Sequence, residues 1–147
     1  MAVDIVTETV IRRGLHAVAT FAANPDHVPA WYVNIKSVEW KTSPPLVVGS
    51  RIAFVAEFLG RRLAYTYETV DWLPAERLVM RTTEGPFPME TTYVWQATPE
   101  GYTRMTLRNR GTPSGFLKVV APFMAMAMRR AMQKDLARLK SLLEAEP

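Results

Sequence analysis

The strongest constraint on the fold is a long segment near the C-terminus, Ser114–Glu144, in which apolar residues recur at helical spacing. These positions follow three- and four-residue steps and are Leu117, Ala121, Met124, Ala125, Met128, Met132, Leu136, Leu139 and Leu143. Such spacing gives a helix one broad apolar face, which must be buried against another layer. Because the preceding chain reads mainly as short alternating strands, the concave face of a sheet is the expected partner. The sequence therefore predicts a sheet that wraps around a long helix.

The first half of this helical segment is rich in methionine and phenylalanine. Methionine is flexible and polarisable, so it suits irregular spaces better than a tightly interlocked core. Met124, Met126 and Met128 cannot all lie on one helix face, and at least one is expected to line a cavity, a lid or a protein contact. Pro122 is expected to kink the helix or to separate a short lead-in helix from the main one.

Alternation and turn residues predict the remaining elements. A first strand is expected at Asp4–Arg12, a short helix at Leu15–Ala23, and a second short helix at Asp26–Trp31 with Asp26 as its cap. Six more strands follow at hairpin spacing, and they are Ile35–Lys41, Ser50–Leu59, Arg62–Trp72, Arg77–Thr83, Phe87–Ala97 and Tyr102–Arg110. The predicted fold is α+β in the order β-αα-β6-α, with a seven-stranded antiparallel sheet around the C-terminal helix.

The same alternation assigns the two faces of the sheet. In the third strand, Ile52, Phe54, Ala56 and Phe58 share one face, and Glu57 lies on the other. The apolar face is expected to continue through Leu78, Met80, Met89, Thr91, Tyr93, Met105, Leu107 and Asn109. One face of the sheet is thus predicted to be apolar and aromatic, and the other to face water.

The fourth strand has two possible registers. In one, Glu68 shares the inward face with Val70 and Trp72, and desolvation would raise the pKa of this carboxyl group. In the other, Tyr65 and Tyr67 point inward and Glu68 lies in solvent. The sequence leaves both registers open.

Composition excludes several classes of protein. The chain has 147 residues and no cysteine, which rules out disulfides, thiol catalysis and Cys-ligated metals and makes the cytoplasm the expected location. We expect one domain over residues 1–147, with no secretion signal and no stable membrane insertion. The net charge is +4, but the basic residues are scattered as pairs without a recognition motif, so nucleic acid is not an expected partner.

Few residues suggest catalysis. There is no Gly-x-Ser-x-Gly motif, and the spacing of His16 and His27 does not suit a metal, so neither metal nor cofactor is expected. The candidates for catalysis are Glu68, Tyr93 and Asn109, which would position or protonate an enol or carbonyl oxygen if they face a cavity.

Short motifs along almost the whole chain resemble the START-like helix-grip superfamily (SRPBCC), and within it the bacterial polyketide cyclase/dehydrase-like branch. The matching features are Ile11, Val18-x-x-Phe21, Asn24-Pro25 through Pro29-x-Trp31, Gly49, Val70-x-x-x-Pro74, Gly85-Pro86-Phe87-Pro88, Gly101-x-Thr103 and Asp135-Leu136-x-x-Leu139-Lys140. The resemblance implies a helix-grip fold whose curved sheet and C-terminal helix enclose an apolar cavity. Members range from aromatic-ring cyclases to carriers, so the fold is implied without the chemistry.

Three functional hypotheses follow. The leading one is binding or carriage of a small hydrophobic or aromatic molecule, lipid-like or polyketide-like, without catalysis. The first alternative is a cyclase/dehydrase, which requires ionisable side chains to converge in the cavity. The second is a protein-interaction module that exposes the Met/Phe-rich segment over a filled interior. The sequence makes no prediction of oligomeric state. The residues expected to contact a ligand are Trp31, Phe54, Phe58, Met80, Met89, Thr91, Tyr93, Met105, Leu107, Phe123, Met124 and Met128.

Overall fold

An antiparallel sheet and a long C-terminal helix dominate the computed structural model, which describes residues 3–113 and 115–145, without the side chains of residues 116 and 117. In these residues, seven strands lie in the order β1-β7-β6-β5-β4-β3-β2. The strands are β1 (Val3–Ile11), β2 (Ile35–Trp40), β3 (Arg51–Phe58), β4 (Arg61–Leu73), β5 (Arg77–Glu84), β6 (Met89–Ala97) and β7 (Thr103–Gly111). The helices are α1 (Leu15–Ala23), α2 (Val28–Trp31), α3 (Phe116–Val119) and α4 (Ala121–Glu144). The predicted helix-grip class is confirmed.

The C-terminal helix buries its predicted apolar stripe. Met128, Met132, Leu136 and Leu139 of α4 join the core with inward residues of the sheet. In the predicted segment, the side chain of Leu117 and the whole of Ser114 lie outside the described part of the structure. The inward residues of the sheet in this core include Leu78, Met80, Met89, Tyr93, Met105 and Leu107.

Helix α4 lies alongside β1, the edge strand of the sheet. Lys140 donates through Nζ to the carbonyl of Val10 at 2.8 Å, and Arg129 donates through Nη1 to the carbonyl of Val6 at 3.4 Å. An edge strand offers unpaired backbone groups that can recruit another strand. The helix therefore covers this edge while it places its apolar face over the sheet.

Two predicted helices are each divided in the structure. The long segment splits into α3 and α4, with Pro122 in the first turn of α4, where a missing N–H disrupts no helical hydrogen bond. The prediction that Pro122 separates a lead-in helix is confirmed. The segment predicted as one helix at Asp26–Trp31 is a 3₁₀ turn, Pro25–His27, followed by α2. Its cap is Asn24, whose side chain accepts from the Asp26 N–H at 3.0 Å, so the prediction of Asp26 as the cap was wrong.

A bulge in β4 decides the register that the sequence left open. Thr69 pairs with Met80 and Asp71 pairs with Val79, so Val70 is an extra residue opposite β5. Because one extra residue reverses the alternation of a strand, Trp72 and Tyr67 can both face the core although they are five positions apart. Counting alternate residues back from Trp72 turns Glu68 inward only if the extra residue Val70 is overlooked.

No helix in the described residues is long and apolar enough to cross a membrane.

Candidate ligand-binding site

A cavity of about 480 Å³ lies between the inner face of the sheet and α4. Ligand sites for small molecules commonly enclose about 300–1,000 Å³ and combine an apolar lining with a few polar groups. This cavity has that composition. Its apolar wall includes Phe54, Phe58, Leu63, Met80, Phe87 and Met89 from the sheet side, and Met124, Met128 and Met132 from α4.

The structure places most of the predicted contact residues in this wall. Those in the lining are Phe54, Phe58, Met80, Met89, Thr91, Tyr93, Phe123, Met124 and Met128. Trp31, Met105 and Leu107 are not in the lining and lie in the core behind it. Trp31 is covered by Tyr32 and Tyr93, whose rings lie 4.3 and 5.7 Å from its own. Met105 and Leu107 belong to β7, next to the strand that α4 covers, and both are buried in the core cluster that includes Leu136 and Leu139 of α4.

The candidates for catalysis separate into two groups. Tyr93 and Asn109 line the cavity, whereas Glu68 does not. Glu68 lies on the outer face of β4, where its strand neighbours are Arg51 and Arg81. Of the two registers that the sequence left open, the structure has the one in which Glu68 lies outside the cavity, and the bulge at Val70 is the reason.

A short polar network crosses the cavity wall from β4 to β7. The Thr91 hydroxyl donates to Oδ1 of Asn109 at 2.6 Å. Because a hydroxyl has one proton to donate, the Tyr67 hydroxyl, 3.4 Å from Thr91, is a weaker partner. Burial raises the pKa of Tyr67. The network thus presents neutral hydroxyl and amide groups to the cavity.

A second polar pair joins the sheet to the segment after α2. The hydroxyl oxygens of Tyr32 and Tyr93 lie 2.6 Å apart. Burial raises the pKa of both phenols, and the nearby charge of Asp135 adds to the shift. Both hydroxyls therefore keep their protons at neutral pH and can donate or accept hydrogen bonds.

The one carboxylate among the described lining residues is Asp135 of α4. Its side chain is only 6% exposed, and Oδ1 accepts a hydrogen bond from the Val33 N–H at 2.8 Å. Burial raises the pKa of Asp135 to about 7, although the Val33 hydrogen bond and the charge of Arg138 oppose the shift. A carboxyl group with this pKa is poised to exchange protons near neutral pH.

Sequence reasoning did not identify Asp135 as a cavity residue. The available signal was an acidic residue within the apolar stripe, three positions after Met132 and four before Leu139. Tyr32 was also missed, because it follows a helix of only four residues and no periodicity assigns its direction.

The sequence matches the profile of the family described as "Polyketide cyclase / dehydrase and lipid transport" over residues 2–144. The chain belongs to this family. The resemblance to START-like, SRPBCC proteins is thereby confirmed. No curated protein matches the sequence.

Solved structures similar to this member of the polyketide cyclase/dehydrase and lipid transport family share its fold at low sequence identity. TTHA0849 from Thermus thermophilus has a TM-score of 0.84 at 19% identity and covers 97% of both chains. A START superfamily protein from Mycobacterium smegmatis has a TM-score of 0.81 at 12% identity, over 96% of this chain and 97% of its own. The Zhui aromatase/cyclase from Streptomyces sp. R1128 has a TM-score of 0.80 at 13% identity, over 96% of this chain and 93% of its own. At these identities the likeness shows the fold alone.

The cavity of this family member reaches the surface near the start of α4. Phe123 and Leu59 belong to its lining, and they are 73% and 62% exposed. Leu59 stands at the tip of the β3–β4 hairpin, beside Arg61, which also lines the cavity. We refer to the opening bounded by Leu59, Arg61 and Phe123 as the mouth.

The predicted division of the methionines is present on α4. Met124 and Met128 point into the cavity, whereas Met126 faces away and is exposed. Val119 and Phe123 are exposed as well, so the Met/Phe-rich segment has both a cavity face and an outer apolar face.

Proposed function

We propose that this protein binds or carries a small hydrophobic or aromatic molecule in the cavity between its sheet and α4. The observation that carries the proposal is an interior space of about 480 Å³ with a mainly apolar wall and an open mouth. Folded proteins pack their interiors densely and leave few voids larger than a water molecule, so a space of this size indicates a binding cavity. The tyrosine pair and the Thr91–Asn109 pair would orient a polar group of the ligand.

Blocking the cavity tests the proposal. Ala131 is a small residue of α4 in the cavity wall, whereas Ala137 lies on the exposed side of the same helix. Nile red, a neutral apolar dye, should bind the wild type and raise its melting temperature by mass action. Ala131→Trp should weaken this binding at least tenfold, and the matched control Ala137→Trp should leave it unchanged.

Two results would contradict the carrier proposal. Dye binding that is absent, or equally strong in both tryptophan variants, would show that the cavity is not the binding site. Native mass spectrometry of the purified protein adds an independent reading, because a co-purifying lipid or aromatic compound would appear as a mass above that of the chain.

A second candidate is an acid–base enzyme of the cyclase/dehydrase type. Asp135, Tyr32 and Tyr93 support it, because all three line the cavity and burial raises the pKa of Asp135 to about 7. Asp135 would take a proton from a carbon next to a carbonyl, and a tyrosine hydroxyl would hydrogen-bond to the resulting enolate oxygen. Asp135 thus replaces Glu68 as the candidate acid or base.

Turnover of a linear poly-β-ketone, which closes to an aromatic ring with loss of water, distinguishes the two candidates. Under the carrier proposal, Asp135→Asn and the wild type bind this compound without converting it. Under the enzyme proposal, the wild type forms a ring product, and Asp135→Asn binds the compound but turns it over at least a hundredfold more slowly.

The third hypothesis, a protein-interaction module, receives less support. It requires a filled interior beneath an exposed apolar segment, and the interior contains a cavity. The exposed side chains of Val119, Phe123 and Met126 are the features that favour it.

A further inference from the structure

Asp135 has an unused hydrogen-bonding oxygen inside the cavity. Its Oδ1 accepts from Val33, and within the described residues Oδ2 has no hydrogen-bond partner. The residue is more than nine-tenths buried and belongs to the cavity wall. Oδ2 is not among the fully buried unpartnered atoms of the described residues, so it remains accessible, and a donor that enters the cavity can reach it.

Among the described residues, no positively charged side chain forms an ion pair with Asp135. In the described chain, the one charged side chain that lowers its pKa is Arg138, which is exposed and lies three residues further along α4. The one cation among the described residues of the cavity wall is Arg61, which belongs to the β3–β4 hairpin at the mouth. Phe123 of the mouth is twelve residues from Asp135, about 18 Å along a helix. The two charged groups of the wall therefore lie towards different ends of the cavity.

Aromatic side chains complete the environment of the carboxylate. Tyr32 and Tyr93 line the same cavity as Asp135, and Tyr32 directly precedes Val33, whose N–H donates to the Asp135 carboxylate. A phenol oxygen can accept a hydrogen bond as well as donate one. A carboxylate and two tyrosines together make a site for a positively charged hydrogen-bond donor.

We propose that the ligand carries a protonated amine that pairs with Asp135, and that its apolar body extends from there towards the mouth. This inference rests on the proposed ligand-binding function and names the chemical class of the ligand. An ammonium group has three donors and the charge that the site lacks. A fatty acid in the same orientation would bring two carboxylates together, which is unfavourable in an apolar environment.

Three probes with the same chain and different head groups test the inference. Decylamine, decanol and decanoate would each compete with Nile red for the wild type, below their aggregation concentrations and at pH 8. We expect decylamine to bind at least tenfold more tightly than decanol, a difference of about 1.4 kcal/mol, and decanoate to bind most weakly.

Asp135→Asn is the decisive variant. It keeps the size of the side chain and an oxygen that can accept from the Val33 N–H, but it removes the charge. It should bind decanol within about threefold of the wild type, and its preference for decylamine should disappear. Glu57→Gln, on the exposed outer side of β3, removes the same net charge and should keep the preference.

The pH dependence of binding tests whether the charge of Asp135 matters, because a purely structural role of this residue would give no change with pH. As the pH rises from 6 to 8, Asp135 ionises while Tyr32 and Tyr93 keep their protons. Decylamine binding to the wild type should tighten over this interval, and decanol binding should not.

Three outcomes separate this inference from the proposed function. If Nile red does not bind the wild type, the proposed function fails. If Nile red binds but decylamine has no advantage over decanol, or if none of the three probes displaces it, the amine inference is wrong and the cavity remains a binding site. An advantage for decylamine that persists in Asp135→Asn also overturns the inference.

Discussion

The substitution Asp135→Asn should change the pH dependence of stability, because burial raises the folded-state pKa of Asp135 to about 7 from an ordinary value of 3.8. Between these values the unfolded chain has released the proton and the folded chain retains it. Folding then takes up a proton, so the stability contributed by this site is present at low pH and is lost as the pH rises towards 7. This direction is opposite to that of a carboxylate held in an ion pair.

The size of the effect follows from the two pKa values. Each pH unit over which the folded and unfolded states differ by one proton changes the free energy of unfolding by about 1.4 kcal/mol. The wild type should therefore lose about 2–3 kcal/mol at this site between pH 5 and pH 8, since the difference ends near pH 7. Asparagine does not titrate, and the cost of burying its amide is the same at both pH values.

Urea unfolding followed by circular dichroism measures the difference, with both proteins at pH 5 and at pH 8. The free energy of unfolding of Asp135→Asn, relative to the wild type, should increase by about 2–3 kcal/mol at the higher pH. Other carboxylates titrate equally in the two proteins and cancel. The control Glu57→Gln, at an exposed position, should shift by less than about 0.5 kcal/mol. A difference between Asp135→Asn and wild type that is the same at both pH values would refute the account of a buried, unpaired carboxyl group.

Four further substitutions test the packing of α4, the tyrosine pair and the cap of the 3₁₀ turn. Leu136→Ala, at a residue 2% exposed, should lower the free energy of unfolding by about 2–5 kcal/mol, whereas Leu142→Ala, at 37% exposed on the same helix, should cost under about 1 kcal/mol. Equal unfolding midpoints for the two would mean that α4 does not grip the sheet. Tyr93→Phe should cost about 1–3 kcal/mol in the same unfolding assay, because it leaves the buried Tyr32 hydroxyl without its partner. Asn24→Ala removes the cap of the 3₁₀ turn and should cost about 1 kcal/mol, and a loss above about 3 kcal/mol would indicate another role for Asn24.

Local periodicity was sufficient to predict the architecture. The apolar steps from Met124 to Leu143 recur every three or four residues, and a helix with that pattern has one face to bury. Strict alternation in β3 and β6 likewise placed Phe54 and Tyr93 on the inner face, since successive side chains of a strand point to opposite sides. Pro122 marked the start of α4 because proline is compatible with the first turn of a helix and not with its interior. These predictions needed only near neighbours in the chain.

Pairing between strands decided the direction of the β4 side chains. Alternation is cumulative, so the single unpaired residue Val70 reverses every assignment counted across it, and Glu68 lies outside while Tyr67 lies inside. A bulge arises from the pairing of β4 with β5. The sequence of β4 alone therefore has no way to reveal it.

The position of α4 over the sheet decided which inward residues meet the cavity. Met105 and Leu107 of β7 are buried in the core that the sheet shares with α4, whereas Met80 and Met89 border the cavity. The same placement brings Asp135 of α4 against Val33 and towards Tyr32, residues about a hundred positions earlier in the chain. The raised pKa of Asp135 comes from burial, which these distant contacts produce. The chemistry of the site is for that reason a property of the tertiary structure, although every residue that supplies it can be read in the sequence.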